Sequence, residues 1–131
     1  MKKYILIGAL MASMFLTGYD TCRDPVQPMP WMHATAYCLQ GKTYTGHKVR
    51  KGIAATGDKS LLGKIVIVYQ RLPDGSMGDY VGIYEVLDTG CSQNVLDVWQ
   101  PTLEDCQDFM DTVYKNGAKG RVYCFFKNAE G

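Results

Sequence analysis

The chain has 131 residues, 47% of them hydrophobic, and sets 14 basic residues against 13 acidic ones. That length holds one domain, and the near-neutral balance excludes a protein that gathers nucleic acid by bulk charge. Five cysteines without a C-x-x-C pair, and two histidines, give no zinc-ligand spacing, so neither a metal nor a cofactor is expected.

Lys2 and Lys3 precede an apolar run from Tyr4 to Thr17, too short to cross a bilayer as a helix. With Gly18 as the small residue before a cut, residues 1–18 read as a signal peptide. Tyr19 stands where a lipoprotein signal carries its lipidated cysteine, which argues for export without an anchor. Without that segment the chain keeps 12 basic and 13 acidic residues, a net of −1, and no membrane span. The basic cluster Lys48, Arg50 and Lys51 then reads as a solvated loop. All five cysteines follow the cut, so an exported chain is expected to form at least one disulfide among Cys38, Cys91, Cys106 and Cys124, with Cys22 free. Pro25, Pro28 and Pro30 mark residues 19–32 as a tether, leaving 33–131 as the domain.

His33 to Leu39 reads as a short strand, followed by a glycine-punctuated polar loop to Lys51. Gly52 to Ala55 is a brief strand, Thr56 to Ser60 a turn, and Lys64 to Gln70 a strongly β-branched run. Leu72 to Ser76, with its proline and Asp-Gly pair, is a turn. A second β run from Tyr80 to Leu87 delivers Asp88 at its end, and a third, Val95 to Trp99, carries Asp97. Two carboxylates thus stand where strands meet a short polar loop, the usual place for chemistry on a rigid scaffold. Thr102 and Asp105 resemble a capping box, and apolar residues at Leu103, Cys106, Phe109, Met110, Val113 and Tyr114 predict a helix with a core-facing stripe. Asn116-Gly117 stops it, and Arg121 to Phe126 is a final strand. About six strands and one helix exclude a doubly wound α/β fold and favour a small closed barrel, which removes exposed edges.

Two resemblances bear on function. Leu87-Asp88-Thr89-Gly90 resembles the active-site loop of retroviral-type aspartic proteases, in which two monomers share a proton between their aspartates. The match is short, and the helix that follows does not fit that fold. The second resemblance covers most of residues 33–126. Ala34-Thr35-Ala36-Tyr37, the loop with Thr43, Thr45 and Gly46, Gly52-Ile53-Ala54-Ala55, Leu61-Leu62-Gly63, Val86 to Gly90, Leu96-Asp97-Val98-Trp99 and Arg121-Val122-Tyr123 follow one another in the order of the three-aspartate (3D) domain. The chain is therefore similar to the catalytic barrel of membrane-bound lytic transglycosylase A and to small cell-wall-lytic proteins.

That resemblance implies a mainly β chain folded as a six-stranded double-psi β-barrel with one short α-helix, acting as a monomer on peptidoglycan glycan strands. It places the catalytic acid on Asp97, its neighbouring carboxylate on Asp88, and glycan-groove residues on Tyr37, Thr43 and Gly46. The family's first aspartate falls on Thr56, and Asp58, two positions on, is the candidate to replace it. One carboxylic acid suffices for lytic transglycosylation, because the muramyl C6 hydroxyl takes the place of water and leaves a 1,6-anhydro end. Ordinary glycosidases need a second carboxylate. A glycan-binding barrel without catalysis is the alternative expectation.

Overall fold

Strand β1 runs Trp31–Tyr37, β2 Ile53–Thr56, β3 Lys64–Arg71, β4 Met77–Asp88 and β5 Val95–Trp99; helix α1 covers Leu103–Tyr114 and β6 Arg121–Asn128. The computed structural model describes residues 30–129. The expected signal peptide, the tether up to residue 29 and Cys22 lie outside the described residues. Each strand lies where its β-branched and aromatic run sits in the sequence. β1 begins two residues earlier than expected: Trp31 and Met32 pair with Tyr123 and Val122, and Met32 is buried.

The chain is mainly β, six strands and one α-helix. The strands are hydrogen-bonded in the order β1-β5-β2-β4-β3-β6, and β6 returns to β1 to close the ring. Two pairs, β1 with β5 and β2 with β4, are parallel; the others are antiparallel. Alternation along each strand sends Ala34, Ala54, Val66, Val68, Val86, Leu96, Val98, Val122 and Cys124 into one core. Helix α1 packs on this core through Phe109 and Val113, each worth about 1.5–3 kcal/mol by burial. The apolar stripe is narrower than its sequence suggests, since Leu103 is 78% exposed and Tyr114 54%.

Thr102 caps α1 by accepting from the Asp105 amide at 3.0 Å, and its hydroxyl donates to the Asp105 carboxylate at 3.0 Å. The shorter Asp side chain closes the box on the cap's hydroxyl, where Glu would reach its backbone amide. At the other end of α1, the fully buried Gln70 of β3 donates to the carbonyls of Thr112 and Lys115 at 2.8 and 3.1 Å. Its amide oxygen accepts from Asn116 Nδ2 at 2.9 Å and from the Asp79 amide at 3.2 Å. Every hydrogen-bonding position of Gln70 is filled, and the carbonyls at the end of α1 find partners.

The residues between the core-facing positions point to the outer side of the wall. There Ile53, Leu87 and Trp99 form a smaller cluster with Tyr37, covered by Val49 of the 38–52 loop. Trp99 Nε1 donates to the Leu39 carbonyl at 2.7 Å and ties the start of that loop down. The candidate site lies beside this second cluster.

Candidate active site

Strand register builds the site. β2 lies between β5 and β4, and Ala55 stands opposite Asp97 on one side and Asp88 on the other. Across β5, Asp97 in turn faces Thr35 of β1. Residues directly opposite one another share a face of the sheet, so Thr35, Asp97, Ala55 and Asp88 form a row across four strands. The register shift between Ala54 and Ala55 places Asp88 in that row, for without it Leu87 would stand opposite Ala55. Alanine in the middle leaves the space between the two carboxylates open. Both line a cavity of about 210 Å³ together with Tyr37, Leu39, Ala55, Thr89, Gly90 and Cys91.

The two carboxylates are held differently. Asp88 Oδ1 accepts from the Tyr44 amide at 2.8 Å and from the Thr89 amide at 3.0 Å, while Tyr37 Oη donates to Oδ2 at 3.0 Å. Thr89 is itself anchored, its hydroxyl donating to the Thr56 carbonyl at 2.8 Å. Asp97 accepts one bond among the described residues, from Thr35 Oγ1 at 2.8 Å. Burial pushes the Asp97 carboxyl above the usual range; the Thr35 bond pulls the other way, and the neighbouring Asp88 adds to the rise. Burial, then the charge and hydrogen bond of Asp88, hold the Tyr37 hydroxyl protonated far above an ordinary phenol, so Tyr37 is a fixed donor. Cys91 donates to the Val95 carbonyl at 3.6 Å, and burial followed by Asp97 pushes its thiol up, which keeps it from acting as a thiolate.

The structure brings together Asp88, Asp97 and Tyr37, and it gives the remaining sequence candidates other positions. Thr43 and Gly46 do not line the cavity; they build the turn that supplies the Tyr44 amide. The Gly46 amide donates to the Thr43 carbonyl at 2.9 Å, and Gly46 adopts φ +89°, which only glycine takes without strain. The Thr45 hydroxyl donates to the Leu87 carbonyl and pins the turn beside Asp88. Thr56 is buried and donates to the Asp58 carbonyl at 3.1 Å, a bond inside its own turn. The Asp58 carboxylate is fully exposed and accepts from the amide and hydroxyl of Ser60 at 2.9 and 2.7 Å, which hold it below the usual carboxylate range. It caps its turn and does not line the cavity. Gly57 serves by its small size, since a Cβ there would lie 2.6 Å from the Ser92 carbonyl oxygen, and not by any unusual backbone angle.

Thr35, Ala55 and Tyr44 are the functional positions that local reading of the sequence does not isolate. A polar residue within an apolar strand was the available signal for Thr35; the other two emerge only from register and loop closure.

Among the described residues no group of three or more histidines, cysteines or carboxylates could hold a metal ion, and no helix is long and apolar enough to cross a membrane. Cys38, Cys91, Cys106 and Cys124 are all free thiols here. Burial pushes the Cys106 thiol up, with Cys38 as its next influence and hydrogen-bonding neighbour. Compared with known proteins, the chain matches no protein-family model and no curated sequence.

Proposed function

We propose that the outer-face pocket cleaves the glycan strands of peptidoglycan by lytic transglycosylation, with Asp97 as acid and then base. The observation that carries this reading is the row Thr35–Asp97–Ala55–Asp88, in which one carboxylate is tied by three donors and the other is desolvated beside open space. A carboxyl whose proton affinity is raised by burial suits general-acid work near neutral pH.

In this mechanism Asp97 donates its proton to the glycosidic oxygen as the bond from that oxygen to the sugar's C1 breaks. Asp97, now ionised, takes the proton from the C6 hydroxyl of the same muramyl sugar as the C6 oxygen bonds to C1. The proton count closes on Asp97, no water is consumed, and the product carries a 1,6-anhydro end. Asp88, fixed by Tyr37, Tyr44 and Thr89, supplies the nearby charge that favours the protonated form of Asp97. Thr35 orients Asp97 and leaves its second oxygen to the pocket.

The closed six-stranded ring, with two parallel pairs set among antiparallel ones, supports assigning the fold as a double-psi β-barrel. The three donors committed to Asp88 argue against the proton-sharing dyad of a dimeric aspartic protease, and the residues of this mechanism all come from one chain, as a monomer would supply them. One observation favours the alternative, a glycan-binding barrel without catalysis. With Thr56 turned into its own loop and Asp58 capped on Ser60, no third carboxylate among the described residues lines the pocket.

Digestion of purified murein, with mass spectrometry of the soluble products, separates these readings. Lytic transglycosylation yields 1,6-anhydro-muropeptides. Products with reducing ends would mean hydrolysis, and bound but uncleaved murein would mean the binding module.

A further inference from the structure

Two exposed side chains, Tyr44 and Lys59, meet from two separate turns, one of which supplies an amide to Asp88 in the pocket. Tyr44 is 60% exposed, although its amide is bonded to Asp88 inside the site. Lys59 Nζ lies 4.9 Å from the centre of the Tyr44 ring. Neither meeting partner is a loose surface residue. The Tyr44 turn is held by the Thr45 bond to Leu87 and by the Thr43–Gly46 contact. The Lys59 turn is held by Asp58, which bonds Ser60 twice, and by Gln93 Nε2, which donates to the Gly57 carbonyl at 2.9 Å. Lys59 thus sets a cation against the ring of the residue whose amide reaches Asp88, and Asp88 lines the pocket together with the second carboxyl group, Asp97.

A neutral glycan gains little from a cation there, and a substrate carrying a carboxylate would meet the Asp88 charge with nothing to offset it. We infer that Tyr44 and Lys59 form a recognition subsite for a carboxylate-bearing sugar unit, with the Tyr44 ring packing on the sugar and Lys59 pairing the anion. The inference rests on the glycan reading above and sharpens it, because it selects an anionic glycan over neutral polymers of the same sugars. In murein the carboxylate has two sources, the peptide stem or, on strands stripped of stems, the lactyl group. An exposed aromatic is well suited to the packing role, as its face is apolar and its edge polar. The assignment also gives Asp58 a role as a positioning residue that fixes the turn bearing Lys59.

The test uses the full-length protein and two substrates, stem-bearing murein and amidase-stripped strands, with cleavage kinetics and co-sedimentation on both. Lys59→Gln should raise KM about threefold to fivefold at low salt, the scale of one exposed ion pair, with kcat within twofold. The increase should shrink at high salt. Lys59→Arg should restore KM, Tyr44→Ala should raise it, and Tyr44→Phe should not. An effect on stem-bearing murein alone assigns the stem carboxylate, and an effect that persists on stripped strands assigns the lactyl group. Co-sedimentation needs no turnover, so a wild type that binds without cleaving still gives the answer. Unchanged KM and binding in Lys59→Gln, with an active or binding wild type, overturns this inference alone. A drop in kcat with a lowered Tm overturns it in favour of simple loop bracing. A wild type that neither binds nor cleaves murein overturns the glycan reading, and this inference with it.

Discussion

Gln70 and Asp97 are both polar side chains set into β-strands of one barrel wall, and the wall treats them in opposite ways. Gln70 is fully buried, and four hydrogen bonds use all its capacity to join β3, β4 and the end of α1. Asp97 is half-buried and makes one hydrogen bond among the described residues, and its environment raises its proton affinity where it faces a cavity. A buried polar group with every valence satisfied holds structure together. One left partly unsatisfied beside open space costs stability and gains reactivity. The distinction lies in the partners, and residue type alone does not reveal it.

The comparison breaks most sharply at Asp97. Asp97→Asn should lower murein release by at least about a hundredfold, the scale of a lost general acid. It should not lower Tm at pH 7. The sign follows from linkage: the native state holds this proton more tightly than the unfolded chain. The contribution of Asp97 to stability is therefore present below the ordinary carboxylate pKa of about 3.9 and declines as pH rises through the folded value. Calorimetry across pH should show the Asn variant melting at or above the wild-type temperature at neutral pH, with the gap closing in acid. A large loss of Tm at pH 7 would place Asp97 with Gln70 as a structural residue.

Gln70→Ala is the reciprocal case. It empties the space of a fully buried side chain and takes the partner from the part-buried carbonyls of Thr112 and Lys115, and should cost about 2–4 kcal/mol in chemical denaturation. Activity per folded molecule should stay within twofold. A smaller effect follows at Tyr37, which stands between the two regimes because it is partly buried yet bonded to Asp88. Tyr37→Phe should lower turnover about tenfold with little change in denaturation midpoint, as a positioning bond is lost and the ring still packs. Least affected is Asp58→Ala, whose turnover should stay within twofold of wild type, because the carboxylate is engaged with Ser60 and absent from the pocket lining. Murein release by Asp58→Ala as low as that of Asp88→Ala would show that Asp58 enters the site during the reaction.

The strands and the helix could be read from the chain because their signals are local. Lys64 to Gln70 is a β-branched run, and Thr102 and Asn116-Gly117 bracket the helix. Asp88 and Asp97 were legible for a related reason, since each is a carboxylate near a loop on an otherwise apolar strand. Thr35 and Ala55 were not, because their importance comes from pairing with Asp97 on a distant strand and, for Ala55, also with Asp88 through a bulge, none of which a local window contains. Gln70 was hidden in the same way. Alternation sets it on the core-facing side with Val66 and Val68, but nothing local shows the partners that satisfy it, on β4, on α1 and on the turn after the helix. At Thr43 and Gly46 the resemblance pointed to the loop that reaches Asp88 but to other atoms: Thr43 and the Gly46 backbone shape the turn, and the Tyr44 amide makes the contact.

The central claim is that Asp97 holds its proton more tightly than an ordinary carboxylic acid, through burial first and Asp88 second. Carbon-13 NMR titration of the aspartate carboxyls, in the wild type and in Asp88→Asn, measures this directly. The account predicts that Asp97 titrates above the ordinary carboxylate value in the wild type. In Asp88→Asn it should move down and still remain above that value, because burial persists. An Asp97 that titrates at or below the ordinary value in the wild type would contradict the account.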